Sequence, residues 1–309
     1  MPHVTFVHGI CSKPPAAELL HIWRRALVDG SDPLPLGDLG VTSSFVYWAD
    51  LLYERPEGDL SACESILEDS PEAIDAGGGA PPPQARNAEE QAFLEGLRAK
   101  MTAFSDAELE GAAEVPDVPQ GALERVPLPW FIKKAFLNAF LRDVHHYLFN
   151  VTFAPPGSTP VPIQTTIRRR FVDALRAPEV TRPHVVVSHS LGTVIAYDCL
   201  KRVADCLAVD GLLTLGSPLG LDEIQDRLRP EWSRDRGFPD AVESGWANVY
   251  DLLDPVCGID ANLADDYRCD AVERVEDVAV ENDGAWRHSA TKYLRQPALR
   301  QTLRRLLQL

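Results

Sequence analysis

The chain has 309 residues, 45% of them hydrophobic, and a formal net charge of -16. This length can bury one large α/β core or two smaller ones, and we expect one core plus an insertion. The acidic excess argues against nucleic acid and anionic membranes as partners, because both require clustered lysine and arginine.

The first ten residues carry neither the basic stretch nor the apolar stretch of a secretory leader. No window approaches the roughly 20 apolar residues that a membrane-spanning helix needs. The six cysteines are scattered without a C-x-x-C pair or a Cys/His ligand cluster. These features predict a cytoplasmic protein with reduced cysteines, no membrane span and no metal.

The first part of the chain is typical of alternating strands and helices. Residues 4–7 predict a buried strand that ends in His8-Gly9-Ile10, and residues 16–28 carry apolar side chains at helical spacing. Residues 41–48 predict a second strand. This alternation favours a mostly parallel sheet wrapped by helices.

Residues 51–130 differ in character, because they contain 17 acidic and 5 basic residues and so 12 of the 16 net negative charges. Within them, residues 77–83 are a Gly- and Pro-rich loop flanked by helical material, and residues 115–129 are proline-rich and expected to be extended. We interpret 51–130 as an acidic, mostly helical insertion between core segments 1–50 and 131–309.

The second part of the chain again alternates helices and strands. Helices are predicted at residues 130–149, 163–177 and the C terminus, and strands at 185–187, 211–215, 247–252 and 271–280. The helix at 130–149 is strongly apolar. We expect it to pack in the core. The second interpretation is that some of its aromatic residues also line an acyl pocket.

The most informative stretch is the predicted turn between the strand at 185–187 and the helix that follows it. Ser190 lies at this turn, where the helix offers free backbone N–H groups and the positive end of its dipole. Residues 188–192 read Ser-His-Ser-Leu-Gly. They resemble the G-x-S-x-G nucleophile elbow of the α/β-hydrolase superfamily, with Ser188 in place of the first glycine.

A serine nucleophile needs a base, and His288 is the preferred candidate among eight histidines. It follows the last predicted strand on a loop rich in turn-forming residues. For His145 and His146, on a predicted helix, we expect solvated or half-buried side chains. The histidines not assigned to proton transfer are His3, His8, His21, His145, His146, His184 and His189.

Asp254 is the preferred orienting acid, because its Asp-Pro-Val sequence resembles the acid turn of many lipase-like hydrolases. Asp251 is the alternative, and Asp260 is a weaker one. The chain order Ser190, Asp254, His288 is the order that the α/β-hydrolase fold uses. All three follow predicted strand ends, where reactive groups of parallel sheets gather.

The resemblance also implies an oxyanion hole made of two backbone N–H groups. Leu191 supplies one at the start of the helix. Residues 8–10 resemble the H-G-x segment of the family, which makes the N–H of Ile10 the second donor. His8 itself is expected to be structural.

The resemblance implies an α/β-hydrolase fold, with the helical insertion at 51–130 as its cap or lid, and hydrolysis of a carboxylic ester through an acyl-serine intermediate, as in lipases and esterases. His288 would act as base and then acid, Asp254 would orient it, and no cofactor or metal is expected. The substrate would be a small-molecule or lipid-like ester, and its binding residues are not identified. Two alternatives remain: an acyltransferase, thioesterase or amidase with the same triad, and a non-catalytic interaction module that recruits a basic partner through its insertion.

Overall fold

The computed structural model describes residues 1–54, 82–113, 130–177, 179–284 and 286–309, with the backbone alone at 104–113 and 130–135. Of the predicted loop at 77–83, only the last two residues lie within this part of the chain. The predicted extended segment at 115–129 lies outside it.

Six parallel strands form the main sheet, in the order β2-β1-β5-β6-β7-β8. They are β1 (His3–Val7), β2 (Thr42–Val46), β5 (His184–His189), β6 (Val209–Leu215), β7 (Val242–Tyr250) and β8 (Val275–Ala279). A separate antiparallel pair consists of β3 (Thr152–Phe153) and β4 (Val161–Pro162). The predicted α/β class with a mostly parallel sheet flanked by helices is confirmed.

The helices in the described part of the chain are α1 (Ala16–Ala26), α2 (Ala88–Ala113), α3 (Trp130–Leu148), α4 (Ile163–Leu175), α5 (Leu191–Arg202), α6 (Asp222–Arg227), α7 (Ala290–Arg295) and α8 (Pro297–Leu306). None of them combines the length and the apolar character needed to cross a membrane.

The two faces of the sheet bury separate hydrophobic cores. Val185 and Val187 of β5 contribute to the core beneath α1, α7 and α8. Val186 points to the opposite face, into the core shared with α2, α3, α4, α5 and α6. Because successive strand side chains alternate between faces, the run of valines fits a strand that is covered on both sides.

Several predicted boundaries are wrong, each for a local reason. The strand predicted at 247–252 begins earlier, at Val242, because the polar Glu243 and Ser244 conceal its start. The strand predicted at 271–280 shrinks to β8, since Cys269 and Val272 pair in a tight turn before it. The predicted C-terminal helix is two helices, α7 and α8, because Pro297 cannot continue the first one.

The prediction of solvated or half-buried side chains for His145 and His146 is also wrong. Both are buried on α3: Glu90 of α2 contacts His145, and the ring of Phe153 on β3 packs edge-on against His146. The carboxylate of Glu90 on α2 lies 3.0 Å from Nε2 of His145 and also accepts a hydrogen bond from Arg86. Helix α2 of the acidic segment therefore packs in the same core as α3.

Candidate active site

The turn after β5 places Ser190 in an unusual backbone conformation. Its φ is 54° and its ψ is -130°, and its N–H donates to the carbonyl of Leu215 on β6 at 3.0 Å. Such a conformation costs about 1–3 kcal/mol for a non-glycine residue and persists only where the surroundings enforce it. Ser190 is fully buried at the junction of β5 and α5.

Two glycines allow the chain to pack around this turn. A Cβ atom on Gly192 would lie 2.5 Å from the carbonyl oxygen of His8, so α5 approaches the end of β1 closely. A Cβ atom on Gly9 would lie 2.6 Å from Cβ of Ser190. Ser188, at the position of the first glycine in the G-x-S-x-G pattern, is a buried residue of β5 paired with Thr214.

His288 and Asp254 form a buried pair at the carboxyl end of the sheet. Nδ1 of His288 lies 2.9 Å from Oδ1 and 2.8 Å from Oδ2 of Asp254. Because an ionised carboxylate only accepts hydrogen bonds, Nδ1 carries a proton, and in the neutral form of the ring Nε2 has a lone pair that can accept one. Nε2 of His288 and Oγ of Ser190 are both buried without a hydrogen-bond partner.

Two contacts place this pair beside the serine turn. The ring of His189, the neighbour of Ser190, lies 4.6 Å from the ring of His288 between centroids. A Cβ atom on Gly216 would lie 2.9 Å from Oδ2 of Asp254 and 3.2 Å from Nδ1 of His288. The structure therefore brings all three predicted triad residues to one edge of the sheet.

Asp254 is held as a carboxylate. Burial alone would raise its pKa, but the charge and hydrogen bond of His288, the N–H of Val256 and the hydroxyl of Tyr293 together keep the pKa below its usual value. An ionised Asp254 can therefore orient His288 and stabilise the imidazolium that forms during proton transfer.

The alternative acids have other partners. Asp251 accepts hydrogen bonds from the N–H groups of Leu253 and Asn282 and pairs with Arg287 at 3.1 Å. These contacts anchor the loops after β7 and β8 to each other. Asp260 is exposed. Of the three candidates, Asp254 is the one that the structure shows hydrogen-bonded to His288.

The predicted oxyanion segment is fixed by His8. Nε2 of His8 accepts the backbone N–H of Trp48 at 3.0 Å, so Nδ1 carries the proton and donates to the carbonyl of Gly9 at 2.8 Å. Burial lowers the pKa of His8 to about 3, which keeps the ring neutral. Because the C=O and N–H of a trans peptide point in opposite directions, the N–H of Ile10 points away from His8.

The second predicted donor belongs to Leu191, the first residue of α5. An N–H at this position has no acceptor within its own helix. It also lies at the positive end of the helix dipole, which favours negative charge. Both predicted donors are therefore backbone groups next to the Ser190 turn.

The sequence did not single out Tyr293 or Trp286. The hydroxyl of Tyr293 donates to Oδ2 of Asp254 at 2.7 Å. Trp286 and Phe136 are buried beside His288, with ring centroids 6.1 Å and 5.8 Å from it, and they contact each other edge-on. Phe136 belongs to the strongly apolar helix predicted at 130–149, whereas no local pattern marks Tyr293 or Trp286.

Within the described residues, no group of three or more His, Cys, Asp or Glu side chains is arranged to hold a metal ion.

Comparison with known proteins adds little. No protein-family model matches the chain, and no curated protein does either. A solved structure titled as an uncharacterized protein from Pseudomonas aeruginosa aligns over 96% of this chain and 46% of its own, with 8% identity and a TM-score of 0.29. The chain thus spans less than half the length of that protein.

Proposed function

We propose that this chain is a serine hydrolase of the α/β-hydrolase type that cleaves carboxylic esters. The observation that carries the proposal is the hydrogen bond between Asp254 and His288 beside the strained turn of Ser190. The all-parallel sheet and the chain order of the three residues support the same assignment.

In the proposed mechanism, Oγ of Ser190 attacks the ester carbonyl and its proton passes to Nε2 of His288. Asp254 accepts the Nδ1–H of His288 and stabilises the resulting imidazolium. The N–H groups of Ile10 and Leu191 bind the carbonyl oxygen as it becomes negative.

The tetrahedral intermediate then breaks its bond to the leaving alkoxide, which takes the proton from Nε2 of His288. Water attacks the acyl-serine with His288 as base, and collapse of the second intermediate returns the proton to Ser190 and releases the acid. Every step uses side chains and backbone groups of this chain, and each proton is passed through His288.

Phe136 and Trp286 suggest an apolar substrate. Their rings contact each other and lie 5.8 Å and 6.1 Å from the ring of His288, the group that exchanges protons with the ester in this mechanism. Apolar and aromatic side chains with a few polar groups are typical of small-molecule sites. The substrate class proposed here is therefore an ester with a hydrophobic acyl or alcohol group.

The test is labelling with a fluorophosphonate probe, which reacts with an activated serine and needs no assumption about the substrate. The wild type should be labelled, and Ser190→Ala and His288→Ala should not. A panel of nitrophenyl esters of increasing acyl length then measures the preference. Labelling of Ser190→Ala, or a wild type that neither reacts with the probe nor hydrolyses any ester above that variant, would contradict the proposal.

A further inference from the structure

Asp143 of α3 is fully buried and contacts the loop that follows β1. Its Oδ2 accepts the backbone N–H of Cys11 at 3.2 Å and the hydroxyl of Tyr53 at 2.6 Å. Cys11 directly follows Ile10, whose N–H is one of the two proposed oxyanion donors. A carboxylate from a distant helix therefore holds the peptide group next to that donor.

The N–H of Ile10 lies in the peptide plane that also contains the carbonyl of Gly9, and the plane that follows Ile10 constrains it through the φ and ψ angles of this residue. The plane before Ile10 is fixed by the hydrogen bond from His8 to the carbonyl of Gly9. The plane after it contains the N–H of Cys11, which Asp143 binds. Cys11 has a φ of 73°, a conformation that a non-glycine residue keeps only where its surroundings enforce it.

A carboxylate close to an oxyanion hole would oppose the negative charge that develops there, unless a cation balances it. Arg142 provides that cation, because its Nε and Nη2 lie 3.0 Å and 2.9 Å from Oδ1 of Asp143. The guanidinium also covers the ring of Tyr53, 4.3 Å from its centroid. Oδ1 thus faces Arg142, while Oδ2 is available to the N–H of Cys11 and the hydroxyl of Tyr53.

Tyr53 keeps its proton in this environment. Burial and the charge of Asp143 raise the pKa of Tyr53 well above its usual value. The protonated hydroxyl donates to Asp143 and helps to fix the carboxylate in place.

We propose that Asp143 is a positioning residue of the oxyanion hole: it holds the N–H of Cys11 and so keeps the N–H of Ile10 directed at the substrate carbonyl. Tyr53 and Arg142 hold Asp143 in turn. This inference rests on the proposed function, because the positioning matters for catalysis only if Ser190 is acylated.

The test compares Asp143→Asn and Tyr53→Phe with Glu90→Gln. Glu90→Gln is the matched control, because it too changes a buried carboxylate, but Glu90 contacts His145 of α3 and not the loop after β1. The first readout is hydrogen exchange of the Cys11 amide in the full chain. Exchange should accelerate in Asp143→Asn, less so in Tyr53→Phe, and not in the control.

The second readout separates kcat from KM on the best nitrophenyl ester. Loss of an oxyanion donor lowers kcat by about 10²- to 10³-fold, so a misdirected donor in Asp143→Asn should lower it by at least about 10-fold with little change in KM. Affinity for a trifluoromethyl ketone, which forms a tetrahedral adduct on the serine, should fall by the same factor as kcat/KM. In Glu90→Gln, kcat and the affinity for the trifluoromethyl ketone should both be unchanged.

Unchanged exchange at Cys11 in Asp143→Asn overturns the inference, and so does an equal loss of kcat in Asp143→Asn and Glu90→Gln. Failure of the proposed function gives a different result, in which wild-type Ser190 itself is not labelled by the fluorophosphonate. In that case the catalytic role of Asp143 is overturned together with the proposed function, whatever the exchange experiment shows.

Discussion

The hydroxyl of Tyr293 donates a hydrogen bond to Oδ2 of Asp254, so the carboxylate that orients His288 is itself held by a buried tyrosine. The same hydroxyl accepts the N–H of Asp251 at 3.1 Å. Burial and the charge of Asp254 raise the pKa of Tyr293 well above its usual value, which keeps the hydroxyl a donor. Two of the three aspartates considered as triad acids are thus joined through one side chain.

Asp254→Asn and Asp251→Asn should have different effects. The first removes the acceptor that fixes the tautomer of His288, and we expect kcat to fall by about 10³- to 10⁴-fold. The second weakens the pair with Arg287, so it should lower stability by about 1–3 kcal/mol and leave kcat within about 10-fold. Ester hydrolysis and urea unfolding of both variants measure this. A folded Asp251→Asn variant as inactive as Asp254→Asn would reverse the assignment.

Tyr293→Phe removes one hydrogen bond to an ionised group. We expect the free energy of unfolding to fall by about 1.5–3 kcal/mol, since the carboxylate and the N–H of Asp251 both lose a partner. We also expect kcat to fall roughly 10-fold, because Asp254 is less well held. Tyr197→Phe is the control: its buried hydroxyl donates to the carbonyl of Gly237, so the change should lower stability and spare kcat. Equal kcat losses in both variants would argue against a positioning role for Tyr293.

Gly192→Ala should disrupt the packing beneath the serine turn. The added methyl group would lie 2.5 Å from one backbone oxygen and 2.6 Å from another, neither of which can move without shifting β1. We expect a loss of about 1–3 kcal/mol of stability and most of the labelling of Ser190. Gly245→Ala is the control, because its methyl group would meet Leu306 at an ordinary 3.6 Å. A fully stable and reactive Gly192→Ala variant would show that this close approach is not required.

Stability should fall as the pH drops from about 6.5 towards 4. Burial lowers the pKa of His184 and of His146 to about 4 in the folded chain, whereas an unfolded histidine titrates near 6.5. The unfolded state therefore binds protons that the folded state does not, and each such histidine removes up to about 1.4 kcal/mol per pH unit within this window. The stabilising contribution is fully present above about pH 6.5.

Urea unfolding at pH 7 and pH 5 measures this slope. His184→Gln should make the dependence of stability on pH less steep by roughly the contribution of one histidine. The control is His21→Gln, which replaces an exposed histidine of α1 and should leave this pH dependence unchanged. Equal stability of the wild type at both pH values would contradict the assignment of neutral buried histidines.

The turn of Ser190 could be predicted because its signals are local. A run of valines favours a buried strand, and the apolar spacing from Leu191 onwards favours a helix. The small residues Ser188, Ser190 and Gly192 permit the corner between them. The chain order of serine, aspartate and histidine is also a property of the sequence. The parallel α/β architecture followed from the alternation of such segments.

The tertiary structure decided which groups meet. Asp251 and Asp254 are three residues apart and chemically identical, and only the packing of the loops after β7 and β8 gives one of them His288 and the other Arg287. Tyr293 contacts Asp254 across 39 residues of chain, and Asp143 contacts Cys11 across 132. No sequence period encodes contacts over such separations, because they exist only once the helices have packed against the sheet and removed the competing water.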